Sequence, residues 1–169
     1  MSINLKPLLF ISFLYITATS SFGQTENFVH NSIEKINDKI KFINSDTSLV
    51  VQEERSLLVG GCNTTEMNES LLISINKYNR ETKELASIDD KHIVESELSD
   101  TTAIGNLFYY SNENLIYAEE TIFTKNEEPT TEGFYYYNSE VISAPGSKSK
   151  RLFTLGLWQL RNHIEKHSK

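Results

Sequence analysis

Hydrophobic and polar positions along the chain change period twice. Val29, Ile33, Ile36, Ile40 and Ile43 recur at spacings of 4, 3, 4 and 3, one apolar stripe of a helix. Glu26, Glu34 and Asp38 lie toward its start and Lys39 and Lys41 toward its end, the sense that complements a helix dipole. The spacing predicts a helix over about 26–44, ended by the polar "NSD". From Glu69 onward the period shortens. "SLLISINKY", "KELASIDDKHIVESEL", "AIGNLFYY", "LIYAEETIFTK" and "EGFYYYN" are rich in β-branched and aromatic residues, and "NRET", "SDTT", "SNEN" and "NEEPTT" separate them. That rhythm predicts an antiparallel meander of about five strands, with a short extra strand in "EVIS" and an interruption near Asp89–Asp90. Thr47–Cys62 reads equally as strand or helical turn up to the break at Gly60–Gly61.

"APGSKSK" reads as a linker. After it Phe153, Leu157, Leu160 and Ile164 return to helical spacing and predict a C-terminal amphipathic helix over about 152–166. The expected class is therefore α+β: N-terminal helix, antiparallel sheet, C-terminal helix.

Residues 1–23 read as an export signal. Lys6 precedes the nine-residue apolar run Leu8–Ile16, too short to span a bilayer, which needs about 20 apolar residues. Small residues follow, and cleavage is expected before Gln24, with cleavage after Ser20 as the alternative. The chain is expected in the periplasm or outside the cell. Residues 24–146 would then form the helix-plus-sheet domain, with 147–169 docked on it. Cys62 is the single cysteine, so an internal disulfide is excluded and packing must hold the fold.

Charge divides along the chain. Overall the net charge is −7, and losing Lys6 with the signal makes it −8. Residues 147–169 carry six basic side chains and one acidic one, while the rest of the mature chain carries 9 basic against 22 acidic. So acidic a body repels nucleic acid. The basic C-terminal helix either docks on that body or meets a membrane or anionic partner; docking is the expectation.

The aromatic stretch "NLFYYSNENLIYAEE" raises the question of a binding face. A hairpin closed by Ser111–Asn114 pairs Tyr110 with Leu115. Regular alternation then gathers Ile104, Phe108, Tyr110, Leu115, Tyr117 and Phe123 on one face, and Gly105, Leu107, Tyr109, Ile116, Ala118 and Ile122 on the other. Gly105 and Ala118 make the second face the expected seat of a helix. Phe108, Tyr110, Tyr117 and Tyr136 are the candidate binding residues, against the plainer reading that they are core.

Other chemistry is sparse. His163 and His167 are four apart, a spacing that can hold a metal, but "HIEKH" offers no third ligand and no metal is expected. His30, His92 and Cys62 mark no nucleophilic pair. Glu53–Glu54, Asp89–Asp90, Glu119–Glu120 and Glu127–Glu128 are adjacent acids; a regular strand points Glu119 and Glu120 to opposite faces, and the other pairs read as solvated turns. No phosphate loop, GxSxG or dinucleotide-binding glycine pattern occurs, so no cofactor is expected. Asn63 and Asn68 head glycosylation sequons.

"GG" at Gly60–Gly61, "NLFYYSNENLIYAEE" and "EGFYYYNSEVI" resemble a loose class of uncharacterised small exported bacterial proteins with one helix and a Tyr-rich meander. The resemblance covers about Val29–Ile142 and implies no activity and no catalytic residue. The leading expectation is a non-enzymatic module that binds a protein or peptide through the aromatic face or an open edge strand. An inhibitor or immunity-type protein masking a basic target, and a small hydrolase, are the alternatives.

Overall fold

The computed structural model describes residues 6–60, 68–94, 101–143 and 146–168. It is an α+β fold. Helix α1 (Lys6–Ser45) is followed by strands β1 (Val50–Gly60), β2 (Asn68–Tyr78), β3 (Leu85–Val94), β4 (Thr101–Ser111), β5 (Asn114–Thr124), β6 (Thr130–Tyr137) and β7 (Glu140–Val141), then helix α2 (Ser147–His167). The strands form one antiparallel sheet in sequential order. Seven strands are present where the pattern suggested about five and a short extra one in "EVIS", which is β7. β1 comes from the ambiguous stretch, and β3 passes through Asp89–Asp90 without a break. Cys62 and Asn63 lie outside the described residues.

Both helices outrun their expected bounds. α1 continues back to Lys6, and the run read as a linker already contains the first turn of α2. Ser149 fixes that start: its Oγ accepts from the Gly146 N–H at 2.9 Å and donates to the Gly146 carbonyl at 2.8 Å. Lys166 and His167 occupy the last turn, where cations suit the helix dipole.

The buried stripe of α2 also differs from expectation. Ser149, Leu152, Gly156, Leu160 and His163 face the sheet, whereas Leu157 and Ile164 are exposed. A small residue at 156 lets the helix axis come close, and that closeness decides which side faces in. A Cβ on Gly156 would stand 2.9 Å from Leu115 Cδ2 and 3.0 Å from Phe108 Cδ1. On α1, Ile36 and Ile43 of the predicted stripe are buried, and Phe28 and Phe42 are exposed.

Two tight turns shape the hairpins. Asn112 and Glu113 have φ of 51° and 57°, and Asn138 and Ser139 have 49° and 67°. Paired positive φ values define type I′ turns, whose twist matches that of the flanking strands. Asparagine supplies the first left-handed residue in each.

Candidate functional site

β4 and β5 close as expected, with Ser111 opposite Asn114 and Tyr110 opposite Leu115. The next step departs from regular alternation. Tyr109 lies opposite Tyr117 and Phe108 opposite Ala118, so Ile116 is an extra residue on β5, a β-bulge. A one-residue slip turns the following side chains over. Tyr117 therefore leaves the face of Phe108 and Tyr110, while Ala118 and Ile122 join it. The predicted face assignments are corrected accordingly.

The α2 face is sealed aromatic core. Phe108, Tyr110, Leu115, Ala118, Phe134 and Tyr136 are each no more than 3% exposed. The Tyr110 hydroxyl donates to the Gly156 carbonyl at 2.9 Å and the Tyr136 hydroxyl to the Ser149 carbonyl at 2.7 Å. Burial raises both phenol pKa values, that of Tyr136 to about 12. Three of the four candidate residues, Phe108, Tyr110 and Tyr136, thus lie under α2. α2 sits on this face, and Ala118 lies beneath it; the face carrying Gly105 is met by α1, through Tyr109 and Tyr135 at the hairpin end.

One step along the strands runs a polar row. Glu54, Ser74, Asp90, Asn106, Glu120 and Glu132 are successive cross-strand partners from β1 to β6. α2 meets this row with its basic and amide side chains. Lys148 pairs with Glu132 at 2.8 Å and with Glu120 at 3.3 Å. Arg151 also pairs with Glu120, Gln159 donates to Asp90, and Lys166 pairs with Glu54. Much of the positive charge of the C-terminal segment is thereby spent inside the molecule, on the acidic body.

Asp90 is buried at 4% exposure, and its Oδ1 has no partner; His92 Nε2 and Asn106 Oδ1 are in the same condition nearby on this face. Desolvation raises the Asp90 pKa, opposed by hydrogen bonds from Ser74 and Gln159. Trp158 and Gln159 overhang a polar cavity of about 220 Å³ that Asp90 lines with Ser74 and Asn76. His163 Nε2 lies 2.8 Å from the Lys83 carbonyl, and the rings of His163 and His167 both pack beside Tyr78. Among the described residues no group of three or more acidic, histidine or cysteine side chains is placed to hold a metal ion.

The opposite face is half-wet. Tyr109, Tyr117 and Tyr135 form a row, with ring centroids 6.1 and 5.0 Å apart. Tyr109 and Tyr135 donate to Asn44 and Asn37 of α1, at 2.8 and 2.9 Å, and tie that helix to the hairpin end of the sheet. Tyr117 donates to Glu119 at 2.7 Å; burial first, then that carboxylate, raise its pKa. Its ring lies across Gly133, where a Cβ would stand 2.2 Å from the hydroxyl.

Away from the tyrosines this face continues from Leu107 across the exposed Asp89 and Lys91 of β3 to Ile75, Ile73 and Leu71 and so to β1. It ends in Val51 and Leu57, both 62% exposed. β1 is eleven residues long and, among the described residues, pairs on one side only, with β2. The aromatic count drew the sequence reading to the buried face. The alternation of Val51, Glu53, Arg55 and Leu57 was the available signal for the open one.

No protein-family model, no curated protein and no solved structure matches this chain. Among the described residues no helix is long and apolar enough to cross a membrane.

Proposed function

We propose that the chain is an exported, non-enzymatic module that binds a protein or peptide, and that its working surface is the β1 edge with the apolar face beside it. The observation that supports this is an eleven-residue edge strand on which the apolar side chains of Val51 and Leu57 are each 62% exposed. An unpaired edge offers a row of backbone donors and acceptors to an incoming strand, and alternate side chains supply selectivity. The buried aromatic residues support the sheet and do not meet the partner. Tyr117 stays in the proposal as the half-buried end of the same open face.

Affinity capture with the tagged chain from the extracytoplasmic fraction of its own cells tests this. Val51→Asn/Leu57→Asn is expected to lose the captured polypeptide while keeping wild-type melting within a few degrees. A polypeptide retained by that double variant and lost on Trp158→Ala would overturn the assignment of the surface.

A further inference from the structure

We infer that the polypeptide received by β1 is a second copy of this chain, its β1 paired antiparallel about Glu54 to continue the sheet across a two-fold axis. The inference rests on the preceding reading of the edge. It specifies the partner and the register.

A two-fold axis perpendicular to the sheet keeps each face continuous, so only residues of the same face can meet across the junction. That leaves registers centred on a residue. Centring on Glu53 would set Glu53 against itself and Val51 against Arg55. Centring on Arg55 would set Arg55 against itself and Glu53 against Leu57. Centring on Glu54 sets Val51 against Leu57 and Glu53 against Arg55, each twice. The segment "VQEERSL" is thus complementary to its own reverse on the open face. Unlike charges and apolar pairs directly opposite each other stabilise a strand pair, and like charges oppose it.

On the α2 face the same register sets Gln52 against Ser56 and brings the two Glu54 side chains together. Each Glu54 is already paired with Lys166 of its own α2, which removes the repulsion. α2 does not occupy the edge. Its last turn lies over Tyr78 and beside the β2–β3 turn at Thr82–Leu85; it meets β1 on the inner face, where Lys166 pairs with Glu54 and His163 and His167 line a groove with Gln52 and Glu54. Glu53 and Arg55 pair with each other at 2.6 Å within the strand and are 45% and 68% exposed, so both can also reach the opposite charges across the junction.

Strands blunted against pairing carry charge that a neighbour would meet with like charge. Here the two-fold register meets each charge with its opposite. A single ladder is a small contact, in the class below about 1,200 Å², so the dimer forms and dissociates with concentration.

Light scattering after size exclusion, on the purified chain over a concentration series to millimolar, reads the result. Wild type is expected to shift from monomer to dimer. Glu53→Arg places Arg against Arg, and Arg55→Glu places Glu against Glu; each alone is expected to stay monomeric with unchanged circular dichroism. Mixing the two variants restores both unlike pairs and is expected to restore the dimer. Three results would overturn the inference: a wild type monomeric throughout, single variants that dimerise like wild type, or variants that mixing fails to rescue. A monomeric wild type that still captures another protein through Val51 and Leu57 would remove the self-pairing and leave the binding-module reading. A wild type that neither dimerises nor captures would remove both.

Discussion

Gly156 and Tyr110 show how closely α2 is fitted to the sheet. Alanine at a helical glycine is ordinarily favourable by about 1 kcal/mol. At 156 the new methyl meets Leu115 and Phe108, which are 3% and 0% exposed and have no room to retreat. Overpacking of this kind costs about 1–3 kcal/mol, so it outweighs the helix gain. Gly156→Ala is expected to lower the midpoint of thermal unfolding, and a raised midpoint would show that α2 stands farther off the sheet. Tyr110→Phe removes one buried hydrogen bond and is expected to cost about 1 kcal/mol, whereas Tyr110→Ser also empties a core position and should cost about 3–5 kcal/mol. Asp90 gives a prediction with a sign. Its folded-state pKa is raised by burial, so the folded state holds the proton more tightly than the unfolded chain does. Its contribution is fully favourable below the unfolded value of 3.8 and is lost as pH rises through the folded value. Asp90→Asn is therefore expected to be more stable than wild type at neutral pH, the difference closing toward pH 3.8 in denaturant titrations.

At the scale of elements, α2 is held at both ends by polar contacts and in the middle by apolar ones. Its C-terminal end carries a pH signal. Desolvation lowers the His163 pKa below 6.5, so its neutral form belongs to the folded state. That stability is present above 6.5 and declines as pH falls through the folded value. His163→Gln is expected to flatten the acid side of the stability profile between neutrality and the carboxylate range, where wild type declines. The first-helix stripe was legible in sequence because its contacts repeat locally, and the Tyr110–Leu115 closure because a two-residue turn fixes its own register. The bulge at Ile116 was not legible: nothing in "NLIYAEE" marks an extra residue, and the slip is settled by Tyr117 finding space over Gly133, a contact across strands. The rotation of α2 was hidden for a related reason. Gly156 and His163, which contribute little to an apolar stripe, are the residues that face the sheet. The carboxylate row from Glu54 to Glu132 spans five cross-strand pairings, and no local pattern in the sequence collects its members.

For the whole molecule, the charge division along the chain becomes an internal docking device. An acidic row on the sheet meets a basic helix, and Phe108, Tyr110 and Tyr136, three of the four aromatic residues that suggested a binding face, lie sealed beneath it. The surface proposed for meeting other chains is therefore the β1 edge with the exposed face beside it. Because exposed ion pairs are screened by salt, added salt should weaken α2 docking only modestly, with the apolar row retained. Segment-resolved amide hydrogen exchange tests this arrangement most directly. The account predicts slow exchange in α2, β4, β5 and β6 as one unit, and exchange at the outer amides of β1 that is fast in dilute solution and slows as concentration rises. Fast exchange throughout α2 while β4–β6 stay protected would contradict it, because the aromatic face would then be open to solvent.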